Sequence, residues 1–141
     1  MHPRMNVPDT HHRIVVTAQE PDIDNLNHVS NLVYLRWVLE AALSHSDSRG
    51  WDHAAYQELG AIWVVRRHEI DYMQSARLGD ALSVTTWVPS FKRASCVRRT
   101  EILRESDGAQ VLRAATTWAF VTMETGRPTR IPEVMHTTFG A

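Results

Sequence analysis

The stretch SNLVYLRWVLEAALSHS, residues 30–46, decides the fold. Apolar side chains recur in it at helical spacing, at Leu32, Leu35, Val38, Leu39, Ala42 and Leu43. Val33 and Trp37 add apolar groups to a second face, which also carries Arg36 and Glu40 four residues apart. A helix that is apolar on most sides is buried by other elements and does not merely lie on a surface. The stretch therefore predicts a long helix enclosed by the rest of the chain.

The segments on either side of this helix predict an α+β fold. RIVVTAQ, residues 13–19, has the β-branched content of a strand, and a short helix is expected over 51–60 with Asp52 as its cap and Gly60 as its end. After Gly60 the pattern changes to four long strands, at residues 61–73, 81–90, 93–106 and 109–125. Asp107-Gly108 is a hairpin signal between the last two, and the prolines of 126–132 end the last strand. Strands that follow a helix in this way predict an antiparallel meander packed around it.

Length and composition narrow the class of protein. A chain of 141 residues with 43% apolar side chains is expected to form one domain, 1–141, with residues 1–11 as a flexible lead. No apolar run approaches the roughly 20 residues that span a bilayer, and the N-terminus lacks the apolar core of a signal peptide, so no membrane association and a cytoplasmic location are predicted. Cys96 is the single cysteine, which excludes an internal disulfide. A net charge of −1 gives no reason to expect nucleic-acid binding.

The polar loop before the helix, DIDNLNHVS at residues 22–30, allows two interpretations of its role. Asp and Asn favour turns, and Asn27 or Ser30 could cap the helix by accepting a backbone N–H bond. Turn composition alone would explain the loop. The alternative is that the loop presents a reactive group.

The letters DIDNLNHVSNLVY, residues 22–34, resemble the first loop of the hot-dog-fold thioesterases of the 4-hydroxybenzoyl-CoA thioesterase type, which reads Asp-x-Asp and then His-Val-x-Asn-x-x-Tyr. This group includes bacterial acyl-CoA thioesterases and plant acyl-ACP thioesterases. The resemblance covers nearly the whole chain. Outside the loop it includes Glu40, LGD at 78–80, Lys92-Arg93 with Ser95, and TGRPTRIP at 125–132. It implies a hot-dog domain, with a five-stranded antiparallel sheet wrapped around a long central helix. It also implies hydrolysis of acyl thioesters, with acyl-CoA as the first candidate substrate.

The resemblance assigns roles within the loop. Asp24 matches the catalytic carboxylate, while Asp22 matches an aspartate of more structural character. The backbone N–H near Asn31 matches the group that binds the thioester oxygen. His28 matches a histidine that is implicated in the acyl-ACP branch, which makes it a further catalytic candidate.

The chemistry suits a single carboxylate. A thiol with a pKa of roughly 8.5 leaves readily as thiolate, so Asp24 could act as a general base on water or as a nucleophile that forms a mixed anhydride. The residues leave both routes open. Negative charge on the carbonyl oxygen would meet the positive end of the helix. The sequence departs from the acyl-ACP branch at Leu26, where that branch has a catalytic asparagine, and Ser30 replaces a frequent asparagine.

Substrate contacts are expected from residues outside the loop. Lys92 and Arg93 are candidates for the phosphates of CoA, and Tyr34 is expected to pack with its hydroxyl bonded or to line the acyl pocket. Trp37, Trp63 and Met73 could line the same pocket or belong to the core. No cofactor is expected, since CoA is part of the substrate, and no metal, since the histidines lack ligand spacing. A site shared between two copies is expected, in a homodimer or homotetramer.

Three competing interpretations remain at this point. The protein could be a hot-dog hydratase or dehydratase, although Asp24 and His28 stand four apart without the proline of that signature. It could be a non-catalytic acyl-thioester-binding protein. Glu40 could be the carboxylate, as in another hot-dog lineage, although an ion pair with Arg36 explains it more simply. A solvated strand face is the default for Arg98, Arg99 and Arg104, and a small core position for Cys96.

Overall fold

The computed structural model describes residues 10–140, so the lead expected at 1–11 falls outside the described residues except for Thr10 and His11. His11 stacks on Trp87 with ring centroids 4.8 Å apart. Within the described range the elements follow in the order β1 (His12–Thr17), α1 (Asn31–Ser48), α2 (His53–Leu59), β2 (Ala61–Tyr72), β3 (Ala81–Phe91), β4 (Ser95–Arg104), β5 (Gln110–Thr122) and α3 (Glu133–Phe139). No helix in that range is long and apolar enough to cross a membrane.

The strands form one five-stranded sheet in the order β1-β3-β4-β5-β2. Every neighbouring pair is antiparallel. The α1 helix packs on this sheet and its buried side chains share one core cluster with those of β3, β4 and β5. The α+β class, with a five-stranded antiparallel sheet against a long helix, is therefore confirmed.

The four-strand meander is wrong in one respect, because β2 pairs with β5 and not with β3. Residues 73–80 carry the chain from β2 to β3 across three strand spacings, about 14 Å. Ala76 anchors this crossing connection, since its N–H donates to the Tyr34 hydroxyl at 2.8 Å and its carbonyl accepts from the Val29 N–H at 2.9 Å. The connection therefore passes beside the start of α1.

The buried face of α1 also differs from the one expected. Leu32 and Leu43 are 78% and 62% exposed, although both belong to the predicted apolar stripe. The buried face includes Val38 and Ala42 of the predicted stripe, together with the aromatic side chains Tyr34 and Trp37. That face comprises Val33, Tyr34, Trp37, Val38, Ala41 and Ala42, and it packs against Leu82, Val84, Ile102, Val111 and Leu112.

The helix ends follow the sequence closely. Ser30 caps α1 by accepting the Leu32 N–H at 3.2 Å, and Asp52 caps α2 by accepting the Ala55 N–H at 2.9 Å. Gly60 ends α2 in the left-handed region, with a φ of 80°, where a side chain would be strained. The α3 helix, which the sequence did not indicate, is a short segment whose Met135 and Phe139 pack into the core beneath it.

Candidate active site

The loop between β1 and α1 is a tight, backbone-bonded turn. Ile23 and Val29 form an isolated antiparallel bridge, and the Asp24 N–H donates to the His28 carbonyl at 2.8 Å. Asn27 turns the chain with a φ of 64°, a conformation that asparagine tolerates better than most residues. Asp24 and the residues after it are thus held at a fixed place before the helix.

The Asp24 carboxylate uses only one of its oxygens to hold this loop. Oδ1 accepts the Leu26 N–H at 2.9 Å and the His28 N–H at 3.2 Å. Oδ2 has no hydrogen-bond partner among residues 10–140. The carboxylate is therefore oriented by one oxygen and exposes the other.

Asp22 differs from Asp24 although it lies only two residues earlier. It is buried, and its carboxylate accepts the Gln19 N–H at 2.9 Å and an Arg36 N–H at 3.0 Å. Its carbonyl accepts the Ser30 N–H at 2.9 Å, which ties the loop to the start of α1. Arg36 also pairs with Glu40 at 3.4 Å, so Glu40 has the structural partner that its spacing indicated.

The start of α1 offers an unused donor. Asn31 is the first residue of the helix and is exposed, and its backbone N–H meets no acceptor within the described residues. The first N–H groups of a helix have no intrahelical partner, and the aligned peptide dipoles make this end positive. The N–H of Asn31 is therefore available to a carbonyl oxygen or an anion.

These groups face one pocket of about 460 Å³. It contains four of the sequence-predicted site residues, Asp24, His28, Asn31 and Tyr34. Its opposite wall is made by Tyr72, Met73, Gln74 and Ser75 at the start of the crossing connection. Sequence reasoning missed most of this wall, because it depends on β2 ending beside α1, and only Met73 had been named.

Tyr34 is a packing residue with its hydroxyl bonded, and it also lines the Asp24 pocket. It is 3% exposed, and its hydroxyl accepts the Ala76 N–H at 2.8 Å. Burial raises the pKa of the Tyr34 hydroxyl above its usual value, so it stays neutral. The ring lines the pocket while the hydroxyl holds the opposite wall in place.

Lys92 and Arg93 lie elsewhere. Both are exposed on the turn between β3 and β4, outside the residues that line the pocket. Besides burial, the charges of Asp24 and Asp80 both raise the pKa of the Tyr34 hydroxyl, so the start of β3 lies near the pocket. The turn after Phe91 is ten residues, about 33 Å, farther along that strand. Trp37 is buried in the main core, and Trp63 lines a different cavity. A single chain therefore does not bring the expected phosphate ligands to Asp24.

The arginines of β4 require a correction. Arg98 is only 8% exposed, although it was expected on a solvated face, whereas Arg99 is exposed. Strand alternation places Arg98 on the inner face with Cys96 and Thr100, which are also buried, and that alternation was the signal for it. Burial raises the pKa of the Cys96 thiol to about 12, so Cys96 is an unreactive core residue. Arg104 is partly buried and pairs with Asp80 and Asp107.

No group of three or more His, Cys, Asp or Glu side chains in the described part of the chain is placed to hold a metal ion. The pocket at Asp24 combines a fixed carboxylate, a backbone donor at a helix end and an opposite wall of mixed polarity. Such an arrangement can bind a polarised carbonyl beside a base or nucleophile.

Known structures share this fold. A putative oleoyl thioesterase from Lactobacillus plantarum superposes with a TM-score of 0.86 at 17% identity, covering 92% of this chain and 50% of that one. A 1,4-dihydroxy-2-naphthoyl-CoA thioesterase from Synechocystis gives a TM-score of 0.83 at 18% identity, covering 92% and 95%.

Sequence comparison identifies the family. A chloroplastic acyl-(acyl-carrier-protein) hydrolase of Cuphea viscosissima is 32% identical over 124 residues, which are 84% of this chain. The chain spans 30% of the length of that curated relative. The family model of the thioesterase-like superfamily matches residues 19–139. The chain therefore belongs to the thioesterase-like superfamily.

Proposed function

We propose that the protein hydrolyses acyl thioesters, with acyl-CoA as the substrate, at the pocket that contains Asp24. One observation carries this proposal. A carboxylate oxygen of Asp24 without a hydrogen-bond partner and the unused N–H of Asn31 belong to residues that line the same pocket. Membership of the thioesterase-like superfamily supports the reaction class.

In the proposed reaction the thioester carbonyl oxygen lies against the Asn31 N–H. As the carbonyl carbon becomes tetrahedral, negative charge on that oxygen is stabilised by the donor and by the positive end of α1. The thiolate of CoA then leaves without needing a proton donor, because its conjugate acid is acidic enough. One carboxylate and one donor region are sufficient for this chemistry.

Asp24 has two possible roles. As a general base, Oδ2 takes a proton from water, and the resulting hydroxide attacks the carbonyl carbon. As a nucleophile, Oδ2 attacks the carbon and expels the thiolate, and water then hydrolyses the mixed anhydride. A single turnover in heavy-oxygen water tests the nucleophilic route, because label in the Asp24 carboxylate requires an anhydride that water opens at the Asp24 carbonyl carbon. Label only in the released acid fits the general base, and it also fits an anhydride that water opens at the acyl carbon.

His28 is assigned a positioning role in this proposal. Its backbone N–H donates to Asp24 at 3.2 Å, and its carbonyl accepts from the Asp24 N–H, so it fixes the carboxylate through its main chain. His28 is also one of the residues that line the pocket. The variant His28→Ala keeps the main-chain bonds, so a large loss of kcat in that variant would indicate a direct role for the imidazole.

The decisive measurement is thiol release from short, long, branched and aromatic acyl-CoAs, with an acyl-carrier-protein thioester as a further substrate. We expect Asp24→Asn to lower kcat/KM about a hundredfold to ten-thousandfold, since the amide neither accepts the proton nor attacks well. Asp107→Asn, at an exposed aspartate of the β4–β5 turn, is the matched control and should keep parental activity.

Two results would contradict the proposal. A parent protein that releases thiol from none of these substrates would exclude hydrolysis as the function. Full activity in Asp24→Asn would leave hydrolysis standing and remove Asp24 from it.

The proposal includes self-association through β2. Within residues 10–140 this strand pairs only with β5, so its other edge has no strand partner. Unpaired strand edges readily add a further strand, and a two-fold axis there would pair two β2 strands antiparallel. The end of β2 near Asp24 would then meet the beginning of β2 in the second copy.

That arrangement would supply the missing phosphate ligands. Ala61 at the beginning of β2 pairs with Thr122, and Ser95 after the β3–β4 turn pairs with Ala119, so both lie at the same end of the sheet. Lys92 and Arg93 of a second copy would thus approach the Asp24 pocket. Light scattering measures the mass of the protein in solution. A monomer that is fully active in the thiol-release assay would exclude this shared site.

A further inference from the structure

The second cavity of the protein lies at the other end of α1. It has a volume of about 290 Å³ and is enclosed by the C-terminal half of α1, by α2 and by the inner face of the sheet. Its α1 residues begin at Ala42, eleven positions after Asn31, so at 1.5 Å per residue the cavity lies about 16 Å or more from the start of the helix. Its walls are strongly aromatic, with Trp51, Tyr56, Trp63, Phe91, Trp118 and Phe139.

Arg98 is the buried charged group that lines this cavity. Its Nη1 donates to His45 Nδ1 at 2.9 Å and to Thr86 Oγ1 at 3.1 Å. A guanidinium has five N–H donors, and those on Nε and Nη2 meet no acceptor anywhere in residues 10–140. No carboxylate in that range forms an ion pair with Arg98.

The neighbours of Arg98 do not neutralise it. His45 accepts its hydrogen bond and is held neutral, since burial and the Arg98 charge lower the pKa of His45 to about 3. The Phe139 ring lies 5.8 Å from the guanidinium carbon and offers a weaker, cation–π attraction. Asp47 lines the cavity but is exposed. A buried cation with no anionic partner is unfavourable, and its free donors have the geometry that binds a carboxylate through two parallel hydrogen bonds.

A second unmatched donor lies in the same walls. The indole N–H of Trp118 is buried and has no acceptor among the described residues. Exposed Leu43, Asp47 and His53 border the cavity where it opens to solvent, so a small molecule can reach it. A volume of about 290 Å³ is near the lower end for small-molecule sites and accommodates one or two fused rings.

We infer that this cavity binds a small aromatic carboxylate, whose carboxylate pairs with the free N–H groups of Arg98 and whose ring lies among the tryptophans. The site is distinct from the Asp24 pocket of the same chain. The inference does not depend on thioester hydrolysis, because it uses none of the groups that the hydrolysis uses.

Calorimetric titration with naphthoate tests the inference, with naphthalenemethanol as the neutral ligand of similar shape. We expect saturable binding of one naphthoate per chain, at least about tenfold tighter than the alcohol, because only the acid forms charge-assisted bonds with Arg98. Equal affinity for acid and alcohol, or no binding of naphthoate, would overturn the inference. This comparison uses the parent protein and needs no variant to fold.

Variants locate the site. Arg98→Met should weaken naphthoate binding at least about tenfold. Arg99→Met is the matched control, because Arg99 is the next residue of β4 and is exposed, and it should bind as the parent does. Asp24→Asn should also bind as the parent does. Parental affinity in a folded Arg98→Met protein, or loss of binding in Asp24→Asn, would contradict the assignment.

Discussion

The two ends of α1 use polar groups in opposite ways. At its beginning, Asp24 and Asn31 are exposed, and the N–H groups of Leu26 and His28 in the same loop hold the Asp24 carboxylate. Toward its end, Arg98 and His45 are buried and hold each other across 53 residues of sequence. The first arrangement presents reactive groups to a pocket, and the second confines a charge inside an aromatic cavity. One helix therefore borders two chemically different cavities of the same fold.

The largest stability effect is expected at the buried end, from the protonation of His45. The pKa of His45 is about 3 in the folded protein, against 6.5 for a histidine in an unfolded chain. Between these values the unfolded chain binds the extra proton, so the free energy of unfolding rises with pH and falls on acidification, by about 2 kcal/mol between pH 7 and pH 5. Burial is the largest cause of this lowered pKa. The further causes are the charges of four neighbouring groups, Arg98, His12, Arg49 and His11.

Urea unfolding at several pH values measures this effect. His45→Gln is the informative variant, because a glutamine oxygen can still accept the Arg98 bond but does not titrate. Its stability should fall less than that of the parent between pH 7 and pH 5. An identical pH dependence in both proteins would show that His45 is not the group responsible.

The next effect compares the helix caps at the two sites. Ser30→Ala and Asp52→Ala each remove a side-chain cap and should each lower the free energy of unfolding by about 1 kcal/mol. Only Ser30→Ala should reduce hydrolysis, by up to about fivefold, since fraying of the first turn of α1 displaces the Asn31 N–H. Thermal melts and kcat together check this, and an equal loss of kcat in Asp52→Ala would remove the link between the helix end and catalysis.

The same contrast explains how far the sequence could predict the molecule. Asp52 and Gly60 were assigned correctly, and Ser30 was one of two candidates for the cap of α1, because a cap or an end depends on residues within a few positions of it. The loop around Asp24 is equally local, so its residues do meet in one pocket. Long-range pairing is different, and it required the folded chain.

Three features could not be predicted from the sequence for that reason. The choice of β5 rather than β3 as the partner of β2 depends on a connection anchored at Ala76, which no local pattern records. The buried face of α1 could not be chosen without the sheet, because apolar side chains lie on most sides of the helix. Arg98 was misjudged because its polarity was weighed above the alternation of its strand, and its partner His45 lies on a different element. The second cavity therefore had no counterpart in the sequence interpretation.

The smallest effect is expected at the β3–β4 turn. Replacing both Lys92 and Arg93 by alanine should raise KM for an acyl-CoA about two- to threefold and leave kcat near the parental value, since exposed phosphate contacts contribute modestly. The same variant should leave KM unchanged for a thioester of N-acetylcysteamine, which lacks the phosphates. A rise in KM for both substrates would mean that the turn acts through structure and not through phosphate.

Mixing the inactive Asp24→Asn chain with the weakened Lys92→Ala, Arg93→Ala chain tests whether the β3–β4 turn of one copy binds substrate at the pocket of the other copy. In a mixed dimer of Asp24→Asn with the Lys92→Ala, Arg93→Ala chain, one pocket regains Asp24 from one copy and both cations from the other, if the site is shared. The mixture should then recover the parental KM for acyl-CoA at reduced kcat. If each turn serves its own chain, the only active pocket lacks its cations and KM stays high, because no exchange of subunits can restore them.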